Sequence, residues 1–322
     1  MRTTRHRPAQ RGMALLLAMV ILTLVATLAA GMVWQQSRAV QIEAAERASS
    51  QAGWILTGAL DWARLILRED QRNGGADHLG EPWATPLAEA RLSTFLAADQ
   101  NNNADSGPEA FLSGAIEDAQ ARYNLNNVLD GDGKVQPVEL AALQRLCNAA
   151  GVPTDTAGRI ADGLRQARAG ATDGNDAPLA VPDVGQLTWL GLDAATVARL
   201  EPFLVLLPQA TPVNLNTAPR EVLVAAIDQL DLATAERLVQ QRQRDPFDKL
   251  EDVEAQLPQN MKPDPKRAGV SSSHFYVYGR LRLEDRVLQE RSLIERRGGG
   301  GSGSDVVVLR RERQHLQPGG GQ

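Results

Sequence analysis

From Met13 to Val33 the chain reads MALLLAMVILTLVATLAAGMV, a run without a charged side chain. At helical rise it is about 30 Å long, the thickness of a bilayer core, so it predicts a membrane-spanning helix rather than a cleaved secretory signal. Past Trp34 the apolar positions thin to a stripe of Ala45, Ala48, Ala52, Ile55, Ala59, Trp62 and Ile66, three and four residues apart. That period predicts that the helix continues with one apolar face. The small residues Ala45, Ala48 and Ala52 suit close contact with helices of other chains.

Between Asp70 and Ser106 turn formers dominate, and only a short helix near Leu87 to Ala97 is expected there. Ala110 to Glu117 and Ala121 to Leu125 read as strands. Val138 to Ala150, Asp155 to Ala167, Val184 to Leu190 and Ala194 to Glu201 read as helices, broken at Gly151, Pro153, Gly170 and Pro182. Two more helices follow, the first with Asn216 or Thr217 as N-cap and the second opening at Asp231 and closing at Asp245-Pro246-Phe247. His274 to Leu283 and Arg286 to Ile294, separated by Glu284-Asp285, predict a β-hairpin. The fold class is α+β. The boundaries run as a leader over 1–12, a membrane segment over 13–36, a first α/β part over 37–137, an inserted all-helical domain over 138–258 and the returning hairpin over 259–297. The glycine-rich remainder, 298–322, is expected to be disordered.

Charge changes the picture in two places. Arg2, Arg5, Arg7 and Arg11 precede the apolar run with no acid among them, so the positive-inside bias keeps the N-terminus cytoplasmic and sends the body across the membrane. Without those four, 30 basic residues face 39 acidic ones, a net of −9 that repels phosphate backbones and argues against nucleic acid as a partner. The single cysteine, Cys147, excludes an internal disulfide and reads as a buried apolar residue.

Arg11-Gly12-Met13-Ala14-Leu15-Leu16 resembles a prepilin leader junction, a basic stretch ending in Gly before an uninterrupted apolar helix. The resemblance implies cleavage between Gly12 and Met13 by a prepilin peptidase and methylation of the new N-terminal Met13. Most pilins carry Glu at the fifth mature position; here it is Leu17, which suits a subunit with no neighbour ahead of it. Together with His78-Leu79-Gly80-Glu81-Pro82-Trp83 and Ile116-Glu117-Asp118-Ala119-Gln120-Ala121-Arg122-Tyr123-Asn124-Leu125-Asn126, the chain resembles the K-type minor pseudopilins of the type II secretion system. Membership implies a pilin-like α/β domain carrying an inserted helical domain. It also implies a single-pass inner-membrane protein with a periplasmic body at the pseudopilus tip. The implied partners are the I, J and H minor pseudopilins, the major pseudopilin and the inner-membrane assembly platform. Leu17, Ala45, Ala48 and Ala52 are the candidate partner interface. Ala161-Asp162-Gly163-Leu164 stands where the family carries an Asp-Trp-aromatic acidic run.

The sharpest ligand pattern is Val128 to Glu139, VLDGDGKVQPVE, which aligns with a twelve-residue calcium loop through Asp130, Asp132, the Lys134 carbonyl and Glu139. Its first position is Val128, so Asn126, Asn127 or water must complete the shell, and the alternative is an acidic turn capping the next helix. The family resemblance favours calcium. Asp99, Asn101, Asn103 and Asp105 form a weaker oxygen-ligand pattern. Asn214-Leu215-Asn216-Thr217-Ala218 and the helices after it resemble a helix-hairpin-helix module, which keeps a DNA-uptake or type IV pilus-associated role as the alternative. Its bend, Ile227-Asp228-Gln229-Leu230-Asp231, has two acids and no glycine to hold phosphate. A third alternative, a signal-anchored periplasmic enzyme, finds little support. His6, His78, His274 and His315 stand in unrelated contexts, and no triad or metal cluster is legible.

Overall fold

The structure is a computed structural model, described over residues 11–93, 109–173, 179–259, 261–283, 286–298 and 305–316. The chain forms two compact units, Met1–Ile55 and Leu56–Gln322, each described by itself. Helix α1, Arg11–Asn73, supplies the described part of the first unit and opens the second. It stops where Gly74 takes φ 69°, a left-handed cap that glycine adopts without a Cβ clash, and the Gly74 N–H closes onto the Asp70 carbonyl at 3.2 Å.

In the second unit five antiparallel strands form one sheet in the order β1-β2-β7-β8-β9. They are β1 Leu87–Arg91, β2 Ala110–Asp118, β7 His274–Leu283, β8 Arg286–Arg297 and β9 Asp305–Leu316. Alternation gives the sheet two buried faces. Phe275, Val277, Ile294 and Val306 pack with Leu60, Ala63 and Leu67 of α1, and Trp83 meets Phe275 edge-on at 5.2 Å. Gly114 and Gly279 oppose each other across β2 and β7; a Cβ at 279 would lie 3.0 Å from Leu56, so Gly279 lets α1 settle on the sheet, and a Cβ at 114 would lie 2.7 Å from the Tyr278 carbonyl oxygen. Tyr276 and Leu293, on the opposite face, pack against Ala119, Val205 and Leu207.

Between β2 and β7 the chain builds the helical lobe. It contains α2 Pro137–Ala149, α3 Thr156–Asp173, α4 Ala194–Leu200, α5 Arg220–Ala226, α6 Leu232–Arg244 and α7 Leu250–Glu254 around one apolar core. Two small parallel pairs stitch it: β3 Tyr123–Asn124 with β4 Leu204–Val205, and β5 Val213–Asn214 with β6 Ala268–Gly269. The α+β class and the interruption of the sheet by helices follow the pattern read from the sequence.

Several local readings are corrected. Of the helix expected over Leu87 to Ala97, Leu87–Arg91 is strand β1, because pairing with β2 overrides the helical propensity of its alanines; 92–93 are helical, and 94–97 lie outside the described residues. The strand expected over Ala121 to Leu125 shortens to Tyr123–Asn124 between two 3-10 turns, and Val184–Leu190 is 3-10 rather than α-helical. Pro219, not Asn216 or Thr217, caps α5; the Asn216 side chain instead brackets Phe247, accepting from its N–H at 3.0 Å and donating to its carbonyl at 2.9 Å. The tail expected to be disordered contains β9, whose Val306 is fully buried. The hairpin reading holds in register, Leu283 opposite Arg286, with its turn residues 284–285 outside the described set.

Gln229, at the bend between α5 and α6, is exposed and sits at φ 64°. A side chain there strains the backbone by about 1 kcal/mol, part of which glycine returns as unfolded-state entropy. Gln229→Gly is expected to stabilise the body by about 0.5 kcal/mol, seen as a higher urea midpoint at unchanged slope.

Candidate assembly surfaces

The apolar run of α1 is long enough to cross a membrane and none of it is buried. Met13 and Leu17 are exposed, as is Trp34, whose ring lies 5.7 Å from the Arg38 guanidinium. Thr23 and Thr27 each donate their hydroxyl to the carbonyl three residues back, at 2.9 Å. The span therefore offers hydrocarbon no unsatisfied hydroxyl. Gly12 lies in the helix, and residues 1–10 of the leader lie outside the described residues. Ala45 and Ala48 are half-buried, whereas Ala52 is buried. That corrects the extent of the predicted stripe.

Where α1 crosses the sheet, an apolar groove of about 350 Å³ runs beside Ala59, Trp62, Ile66, Pro86, Leu87 and Leu112. Trp62 and Leu65 remain half-exposed on the helix above it.

The lobe joins the sheet through a carboxylate. Asp118, at the end of β2, is buried and accepts from the Gln120 N–H (2.7 Å), Asn214 Nδ2 (2.9 Å), Thr217 Oγ1 (2.6 Å) and Ser272 Oγ (2.6 Å). Burial pushes its pKa up, against the pull of the Ser272 and Thr217 hydrogen bonds. Beside it Arg296 bridges Asp70 at 2.6 Å and Asp77 at 2.5 Å. Glu81 accepts from the His78 N–H and from Trp83 Nε1, both at 2.8 Å. Asp70, Asp77 and Glu81 bring ligand oxygens within 4.8 Å of one another, but Arg296 already neutralises part of that charge. Burial raises the pKa of Asp70 and of Asp77, and Glu81 adds repulsion at Asp70. The sequence signal for this junction was present in the 78–83 and 116–126 segments; its partners Asn214, Ser272 and Arg296 lie too far along the chain to be read locally.

The calcium pattern folds differently from the loop it resembles. Asp130 Oδ1 accepts from the N–H groups of Asp132 (2.9 Å) and Lys134 (2.8 Å), and the Lys134 carbonyl accepts from the Asp130 N–H at 2.9 Å. Asp132 is exposed, 3.9 Å from Lys134 Nζ. Glu139 turns inward: its Oε1 lies 2.8 Å from Arg267 Nε, and its Oε2 accepts from the Tyr123 hydroxyl at 2.8 Å. Both oxygens of the closing carboxylate are spent, so the set does not fit calcium, which needs that residue bidentate. The second pattern, Asp99 to Asp105, lies outside the described residues. At the helix-hairpin-helix bend, Asp228 pairs with Arg145 at 2.9 Å and Arg267 at 3.1 Å, using the hairpin to hold α2 and the 267 segment.

Comparison with known proteins places this architecture. Family models described as "Type II secretion system (T2SS), protein K" match residues 121–209 and 213–271. The type II secretion system protein K of Pseudomonas aeruginosa is 31% identical over 305 residues, covering 87% of each chain. The chain belongs to the type II secretion system protein K family. The protein K of Pectobacterium carotovorum is 28% identical, over 91% of this chain and 94% of its own. In fold, the K-family body resembles a chain in the crystal structure of the GspK-GspI-GspJ complex from the enterotoxigenic Escherichia coli Type 2 Secretion System. The TM-score is 0.66 at 21% identity, over 84% of this chain and 98% of that one. The K family consists of minor pseudopilins, structural components of a secretion apparatus, and the single apolar N-terminal helix fits a single-pass membrane anchor.

Proposed function

We propose that this K-family chain is cut between Gly12 and Met13, methylated on Met13, and assembled with I- and J-type minor pseudopilins at the tip of the periplasmic pseudopilus. Its N-terminus is cytoplasmic and its helix is held in the inner membrane. The observation that carries the reading is the lobe seated on the sheet face opposite α1. Subunits in a helical shaft must repeat one heterologous contact, and a bulky lobe obstructs that repetition while being harmless at an open end. Leu17 in place of a buried carboxylate is consistent with that end position. The complex that contains the structural relative GspK also contains GspI and GspJ.

Mass spectrometry of the protein from cells with the peptidase is expected to find a mature chain starting at methylated Met13. An intact Met1, or a start near Gly31, would sink the prepilin assignment. For the tip, Ala48→Arg is expected to abolish co-purification with the I and J subunits while leaving the melting of the body unchanged. Wild-type recovery of the partners, or filaments of this chain alone, would overturn the placement.

A further inference from the structure

Strand β9 is attached unlike its neighbours. Two residues, 284–285, join β7 to β8, whereas 298–304 between β8 and β9 consists of five glycines and two serines. A seven-residue Gly/Ser sequence fits many turns and so singles out no one register. The register must come from β9 itself.

The side chains that set it are charged. Glu290 of β8 is buried, and the residue opposite it on β7 is Gly279, which offers it nothing. Its cations among the described residues are both on β9: Arg311 Nε at 3.1 Å from Oε1 and Arg313 Nε at 2.5 Å from Oε2. Ser292 Oγ, at 3.4 Å, is a weak substitute. A carboxylate buried without its partner is strongly destabilising, so Glu290 selects a strand with two basic residues two positions apart. Further along, Val306 fills the α1 side of the core and its carbonyl accepts from Arg64 Nε at 2.8 Å. On the other face Arg310 reaches Asp183 and the Pro182 carbonyl of the lobe.

We propose that the outer edge of β8 is an acceptor site for an extended basic segment, that β9 is its resident occupant latched by Glu290, and that β9 leaves as a unit while β1, β2, β7 and β8 stay paired. The segment the site accepts has apolar residues at the places of Val306 and Val308 and arginines at those of Arg311 and Arg313. When β9 leaves, Asp183 of the lobe loses Arg310 and, among the described residues, keeps its ion pair with Arg291 at 2.8 Å.

The test uses the full chain in detergent and a labelled peptide of residues 305–316. Wild type, its edge filled, is expected to bind the peptide at least tenfold more weakly than Arg311→Ala/Arg313→Ala, and adding Glu290→Gln to that variant should remove the binding. Hydrogen exchange on the same variant should show lost protection in β9 alone. Equal binding to wild type and variant, no binding to the variant, or binding indifferent to Glu290→Gln would overturn the acceptor site. Protection lost across β2, β7 and β8 as well would overturn the separable strand.

Discussion

Asp118→Ala is expected to lower the stability of the body by about 4 kcal/mol, because four donors aimed at a buried carboxylate would lose their acceptor together. For a body of this size that is roughly a 10 °C drop in Tm. Asp118→Asn is expected to cost less, about 2 kcal/mol, since its carbonyl oxygen stays and the Ser272 and Thr217 hydroxyls can turn to accept, while the Asn214 amide at 2.9 Å then faces a second donor. The pH dependence follows from the same burial. Asp118, Asp70 and Asp77 all have pKa values raised above the ordinary carboxylate value, so the folded state holds their protons more tightly than the unfolded chain does. Their contribution is most favourable below the unfolded value and is lost as pH rises through the raised folded values. Thermal melts across that window are expected to show a slope in wild type that flattens when Asp118 is replaced by Asn. A pH profile identical in the two would show that the pKa of Asp118 is the same in the folded and unfolded chain.

The membrane helix, the order of helices in the lobe and the hairpin register were legible because each is a local, periodic signal. The apolar run is uninterrupted from Met13 to Val33, and the two hydrophobic runs at 274–283 and 286–294 are separated by only Glu284-Asp285. What could not be read was whatever depends on a partner far along the chain. β1 is a strand only because β2 lies beside it. The tail looked structureless because its glycines outweigh a twelve-residue strand whose burial is supplied by β8 and α1. The calcium pattern meets the same limit. Asp130 and Gly133 do form the tight turn their spacing predicts, with Gly133 at φ 78°, but Glu139 opens α2 facing an arginine 128 positions away. Of the partner stripe, Ala45 and Ala48 are half-buried, while the burial of Ala52 was not written in its period.

That misread glutamate sets the second large effect. Arg267 and Glu139 are both buried, and Nε stands 2.8 Å from Oε1 although its N–H is not aimed along the contact. Arg267 also lies 3.1 Å from Asp228 and donates through Nη2 to the Ala225 carbonyl at 3.0 Å, so one guanidinium ties α2, α5 and the bend before α6. Removing one partner strands a charge in the lobe core. Arg267→Met is expected to destabilise by about 3–5 kcal/mol, because the Glu139 carboxylate then keeps only the Tyr123 hydroxyl. Glu139→Met alone should be milder, since Arg267 retains Asp228 and a backbone carbonyl. The decisive variant is the double, Glu139→Met with Arg267→Met: a buried ion pair replaced by apolar residues of similar volume is often neutral, so most of the loss in Arg267→Met should be recovered. Urea denaturation of the four proteins closes the cycle. A double variant as unstable as the sum of the singles would mean that Glu139 and Arg267 are not coupled and that Arg267 acts through Asp228 and Ala225 instead.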